Sequence, residues 1–159
     1  MSSAKDDWQT PEVVLDAVRR FRLIYLDPCT TLENPTRAER FFTPEADGLT
    51  LSWALLPPQP GCIYVNPPYG RGIAPWIVRC GQPWGRPVVA LVPARTDTLW
   101  WQQARPHAVC FWHGRLRFKG APSSAPFPSA VLLWAPSNQD LWDFENVFWQ
   151  HGQCWRPAS

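Results

Sequence analysis

The tetrapeptide Asn66-Pro67-Pro68-Tyr69, at the end of the apolar run Cys62 to Val65, carries the residues best suited to chemistry. Asn66 offers a side-chain carbonyl acceptor, and Pro67 adds a backbone carbonyl on a residue with no N–H and a fixed φ. Two acceptors side by side suit a nitrogen that bears two protons. The exocyclic amino group of adenine is such a nitrogen, and it is a poor nucleophile because its lone pair is delocalised into the ring. It reacts when held against an electrophilic methyl with both protons bonded. Tyr69 then supplies a ring on which the base can stack. In a duplex that amino group is paired, so the base must first leave the stack. Alignment and charge placement supply most of the rate, with neither metal nor covalent intermediate.

Two more short apolar runs end on sequences of the same kind. Leu23 to Leu26 ends on Asp27-Pro28, and Val88 to Val92 ends on Pro93-Ala94-Arg95. Further strands are expected at Cys62 to Val65, Ala108 to Trp112, Arg115 to Phe118 and Ala130 to Trp134. Thr10 reads as the N-cap of a helix over 11–21, with Pro11 at its first position and Val14, Ala17, Val18 and Phe21 at helical spacing. Ile73 to Cys80 reads as a short helix, and Thr96 or Asp97 as the cap of another. Turn signals stand at Pro35, Asp47-Gly48 and Pro57-Pro58. Apolar strands alternating with short helices imply an α/β fold, mostly parallel and covered on both faces, closed by a C-terminal antiparallel hairpin. Ligands of such sheets bind beyond the carboxyl ends of the strands, where the three loops would converge.

With 159 residues the chain is expected to form one domain, 1–159. No apolar run is long enough for a membrane span, and the polar start MSSAKDD reads as cytoplasmic. The five cysteines include no CxxC pair, which argues against a disulfide framework and a zinc site alike. His107, His113 and His151 lack metal-ligand spacing, so no metal is expected. Net charge is only +2, but residues 71–119 hold eight Lys/Arg against Asp97 alone, a local +7. A stretch this one-sided is a candidate phosphate-binding surface for DNA. Arg115, Arg117 and Lys119, around a hairpin-like turn, are its candidate contacts, and Arg95, oriented by Asp97, is another.

The motifs occur as an ordered set: Trp8-Gln9-Thr10-Pro11, Leu26-Asp27-Pro28-Cys29, Asp47-Gly48-Leu49, Val65 to Gly70, Leu91 to Thr98, Gly114 to Phe118 and Pro126 to Ala130. In that order the chain resembles the phage-type DNA N6-adenine methyltransferase (Dam) family, over roughly residues 8–134. The resemblance implies a Rossmann-like class I methyltransferase sheet, S-adenosylmethionine as cofactor and DNA as partner. It implies a catalytic role for Asn66, Pro67, Pro68 and Tyr69. It puts Asp27 beside the cofactor's methionine part, Asp47 near its adenine, and Thr10-Pro11 across the same pocket, with Pro28, Cys29 and Asn66 as further cofactor-binding residues. Phe118 would flank the flipped base. Many methyltransferases follow the first strand with a Gly-rich turn; this chain has no glycine before Gly48, a feature it shares with the phage-type family.

An N5-glutamine protein methyltransferase uses the same tetrapeptide on an amide, but lacks support here without the Gly-rich turn and an N-terminal partner-binding region. A catalytically inactive nucleic-acid-binding relative would be expected to have lost the tetrapeptide. Only 38 residues separate Pro28 from Pro67 and 41 follow Phe118, leaving no room for a dedicated target-recognition domain. Specificity then rests on short loops, on a second subunit of a homodimer, or is relaxed.

Overall fold

The apolar runs become strands of one sheet whose strand order decides where a ligand can enter. A computed structural model describes residues 8–54 and 60–158. The strands are β1 (Ile24–Asp27), β2 (Arg40–Phe41), β3 (Cys62–Val65), β4 (Val88–Pro93), β5 (Ala108–Trp112), β6 (Ser129–Trp134) and β7 (Gly152–Trp155). They lie in the order β2-β1-β3-β4-β6-β5-β7. The first four are mutually parallel; β6 runs antiparallel to both β4 and β5, and β7 antiparallel to β5. From β1 the chain passes to β2 on one side and then to β3 on the other. That reversal opens a crevice at the carboxyl ends of β1 and β3.

Every residue of β3, β4 and β6 is buried. Successive side chains point to opposite faces, so both faces of the centre are covered. The helices are α1 (Glu12–Phe21), α2 (Ile73–Cys80), α3 (Leu99–Ala104) and α4 (Asn138–Phe148). They pair off as α1 with α4 and α2 with α3. Between α1 and α4 the rings of Phe21 and Phe144 meet edge to face at 5.8 Å, and Arg22 bonds Asp140 at 2.9 Å and Asp143 at 2.7 Å. α1 buries Val14, Leu15, Ala17, Val18 and Phe21, and it carries Glu12 in its first turn and Arg19 and Arg20 in its last, matching the helix dipole.

Several local expectations are corrected. Thr10 does not cap α1; Pro11 holds the N-cap position in extended conformation, and its carbonyl accepts from Val14 and Leu15. The Thr10 hydroxyl instead bonds the buried Tyr64 hydroxyl at 2.7 Å. Neither Thr96 nor Asp97 caps α3: the Thr98 hydroxyl accepts from the Trp101 N–H. Arg115 to Phe118 is not a strand, because β5 and β6 are already paired on both sides and leave no edge for it. It buries Leu116 and Phe118 and exposes Arg115 and Arg117, and the next residue, Lys119, makes an isolated bridge to Gln9. The Pro57-Pro58 turn lies outside the described residues. Unforeseen were β2, β7 and α4; the last is announced by Ser137, whose hydroxyl accepts from the Asp140 N–H at 3.2 Å.

Candidate active site

The loops after β1 and β3 enclose a cavity of about 560 Å³ at the crevice. It is lined by Thr10, Asp27, Pro28, Cys29, Asp47, Asn66, Pro67, Pro68 and Tyr69, all singled out in the sequence. Trp8, Thr31, Thr36, Pro44 and Trp76 complete much of its wall. Among the described residues, no group of three or more His, Cys, Asp or Glu is arranged to hold a metal ion, and no helix is long and apolar enough to cross a membrane.

Asn66 is held by one end only. Its Nδ2 donates to the Trp8 carbonyl, while its Oδ1 is buried without a hydrogen-bond partner. An unpaired buried acceptor costs about 1–3 kcal/mol, so this atom is poised for a donor that enters the cavity. The orientation is imposed by the segment Trp8–Thr10, which crosses the cavity as a strap. The strap is fastened at Tyr64 through the Thr10 hydroxyl, and at Lys119, whose N–H donates to the Gln9 carbonyl at 3.1 Å. Tyr64 lies two residues before Asn66 on β3, so both face the same side of the sheet. That alternation is the signal by which Tyr64 could have been found; nothing in the sequence marks the Trp8 carbonyl.

Asp27 is 2% exposed. Its Oδ1 accepts from the Cys29 N–H at 3.1 Å and its Oδ2 from the Thr36 hydroxyl at 2.8 Å. Burial pushes its carboxyl up to about 6 against these bonds, which pull the other way. Asp47 is exposed at the rim in left-handed conformation, φ 58°, and its carboxylate accepts from the Leu49 N–H at 3.2 Å. Gly48 beside it is buried, and a Cβ there would run into the Pro28 carbonyl oxygen, so the close approach requires glycine. The Asp27-Pro28 and Asp47-Gly48 turns are therefore pressed together as one wall. Trp53 backs it, donating its indole N–H to the Gly48 carbonyl at 2.8 Å and stacking on Trp76 at 6.3 Å.

Tyr69 is 2% exposed, and its hydroxyl donates to the Leu91 carbonyl at 3.1 Å. Its ring meets Phe118 at 6.1 Å and Phe127 at 5.6 Å, both edge to face, and Trp8 closes the cluster against the same two phenylalanines. Phe118 is likewise 2% exposed but, unlike Tyr69, does not line the cavity, so it backs the Tyr69 ring and presents no face to a base. Pro11 does not line the cavity.

The third loop joins the site only at its margin. Arg95 is exposed, with its guanidinium 5.5 Å over the Phe127 ring, and Asp97 makes no ion pair with it among the described residues. Arg115 and Arg117 are exposed and donate to carbonyls of their own loop, at 3.5 Å to Ala125 and at 3.3 and 3.4 Å to Ala121 and Pro122. Lys119 bonds Glu12 at 2.9 Å. The +7 segment does not act as one surface: Arg79 lies over Trp53 and Trp84, and Arg86 over Tyr25. The histidines are structural or exposed, with His107 accepting from the Ala135 N–H and His151 stacked on Trp112.

No curated protein matches the chain significantly. The family model described as DNA N-6-adenine-methyltransferase (Dam) matches residues 1–144, so the chain with this cavity and this half-bonded asparagine belongs to the Dam family of DNA adenine N6-methyltransferases.

Proposed function

We propose that this chain methylates N6 of an adenine rotated out of DNA, using S-adenosylmethionine bound against Asp27 and Asp47 on a Rossmann-like sheet in one domain, 1–159. The unsatisfied Oδ1 of Asn66 carries this reading. It is a buried acceptor with its partner nitrogen already committed, and an amino group bearing two protons is the donor it lacks. The Pro67 carbonyl takes the second proton's hydrogen bond. As both bonds form, electron density stays on the amino nitrogen and its lone pair turns toward the incoming carbon. S-adenosylmethionine, when bound, supplies a methyl made electrophilic by its sulfonium.

The residues around the cavity fit that cofactor. Asp27 places a buried carboxylate where an ammonium would relieve its desolvation, and Asp47 places a rim carboxylate where an adenine amino group can donate. Thr10, Pro28 and Cys29 pack beside it; Pro11 acts by setting the direction in which the strap enters α1. Tyr69 and Pro68 support the base, Tyr69 through its cavity-facing side while Phe118 holds it from behind. Arg95, Arg115, Arg117 and Lys119 contact DNA phosphates, Lys119 by exchanging Glu12 for one. Target choice rests on short loops such as 119–128 and is short or relaxed, and a homodimer is one route to more.

Titration calorimetry with the demethylated cofactor product, together with sequencing of modified adenines in DNA exposed to the purified chain, tests this. One product site per chain and new N6-methyladenine are expected. Binding without any modified adenine in duplex or single-stranded DNA would remove DNA as the substrate.

A further inference from the structure

Away from the cavity, the far edge of the sheet brings two thiols together. Cys110 on β5 and Cys154 on β7 are register partners. Beyond the strands the ladder continues, with the His113 N–H donating to the His151 carbonyl at 2.7 Å. Hydrogen-bonded and non-hydrogen-bonded pairs alternate along an antiparallel ladder. Counting back from His113 and His151, Phe111 and Gln153 form a bonded pair, and Cys110 and Cys154 a non-bonded one. At such a position opposed Cα atoms lie about 4.5 Å apart, with side chains at their closest, inside the ~4.4–6.8 Å that a disulfide spans.

The two thiols oppose each other across the ladder and differ in role. Cys110 is fully buried and keeps its proton: the neighbouring Cys154 thiol is the first cause raising its pKa, and burial the second. The Phe148 carbonyl, 3.6 Å away, is a further acceptor for it. Cys154 is half-buried on the edge strand, and the S–H of Cys110 holds its pKa below the ordinary thiol value. Cys62 and Cys80 offer no competition, since both are fully buried and burial raises both, Cys62 to about 12.

We propose that Cys110 and Cys154 are an oxidisable dithiol, a modification site at which a low-molecular-weight disulfide converts the pair into a cross-strand link between β5 and β7. The Cys154 thiolate attacks one sulfur of the oxidant, forming a mixed disulfide and expelling the first thiolate. Cys110 loses its proton and attacks the Cys154 sulfur, which expels the second. Two protein thiols are oxidised, one small disulfide is reduced to two thiols, and both cysteine protons end on those products. The link fastens the outermost strand to its single neighbour.

The test incubates the full chain with glutathione disulfide and glutathione at graded ratios, blocks remaining thiols and maps peptides without reductant. The expected product is a Cys110–Cys154 linked peptide, lighter by two hydrogens, formed before Cys62 or Cys80 reacts and reversed by dithiothreitol. The oxidised chain should melt roughly 5 °C higher, because the link constrains the unfolded chain. Cys110→Ala should leave a lasting glutathione adduct on Cys154, since the resolving thiol is gone, and Cys154→Ser should leave neither adduct nor link. The wild-type map decides even if a variant fails to fold. Cys154 remaining a thiol under oxidising ratios, keeping a glutathione adduct, or linking to another cysteine or another chain overturns the proposal.

Discussion

The floor of the cavity and its arginine-bearing rim are held in opposite ways. On the floor, Asp27, Tyr64 and Tyr69 are buried, and each makes a hydrogen bond of 2.7–3.1 Å; Asn66 has one end fixed and one end open. On the rim, Arg115 and Arg117 are exposed and reach carbonyls of their own loop at 3.3–3.5 Å. Aligning a weak nucleophile leaves little tolerance in distance or angle, so the atoms that do it are set before substrate arrives. Gripping a uniformly charged backbone tolerates slack, and those guanidinium groups can leave weak internal partners at small cost.

The contrast is broken most severely at Tyr69. Tyr69→Ala opens a hole between Phe118 and Phe127 and should cost about 4 kcal/mol of stability, read as a lower thermal transition, with activity lost alongside. Tyr69→Phe forfeits only the bond to Leu91, about 1 kcal/mol. A harmless Tyr69→Ala would mean the floor is not preset. Asn66→Ala should raise the barrier by about 3 kcal/mol while the melting temperature stays near wild type, measured by single-turnover methylation beside a thermal scan. Equal losses in rate and stability would recast Asn66 as structural.

The effect of pH on Asp27 is smaller and has a definite sign. Its carboxyl stands near 6 in the folded chain against 3.8 unfolded. Between those values the native state keeps a proton the unfolded state has lost, so this contribution to stability is complete below pH 3.8 and is lost as pH rises through 6. The melting temperature of Asp27→Asn should therefore gain on wild type from pH 4 to pH 7. Product affinity of the wild type should fall about tenfold per pH unit below 6, as the carboxylate that meets the cofactor is protonated, and the variant should be flat. At the rim, Arg115→Ala or Arg117→Ala should leave stability within about 0.5 kcal/mol. Each should weaken binding alike across DNA sequences and lower the salt slope by about 1. Changes within 119–128 should instead alter which adenines are modified, and sequencing at two salt concentrations separates the cases. A long, strict target in the wild type would show that the rim is not slack.

How much could be read in advance follows from the kind of signal each feature leaves. β3 and β5 are continuous apolar runs and α2 is apolar except for Arg79, and the limits of all three agree with the sequence reading to the residue. Arg115 to Phe118 alternates as a strand does, yet pairing depends on which edges other strands leave open, which alternation does not encode. β2 is two residues long and carries too little pattern to read. Within the site, the residues singled out for the cofactor and the chemistry line one cavity, Pro11 excepted. The burial of Phe118 and Tyr69 together was hidden, because an aromatic cluster drawn from residues 8, 69, 118 and 127 has no local period.

The strap has a bearing on the order in which this chain can assemble. Asn66 takes its orientation from a carbonyl 58 positions earlier, and Gln9 is pinned by Lys119, which arrives long after β1 to β4 are complete at Pro93. Contacts of such wide sequence separation form late, since chain closure must be met before they contribute. During synthesis, therefore, a chain ending near residue 93 can pair its parallel strands and fasten the strap at Tyr64 while Gln9 still lacks its bond from Lys119. Full fastening of the strap comes as one of the last events of folding, and pulse-labelled amide exchange should record protection of β3 and β4 ahead of Lys119, whose N–H donates to Gln9.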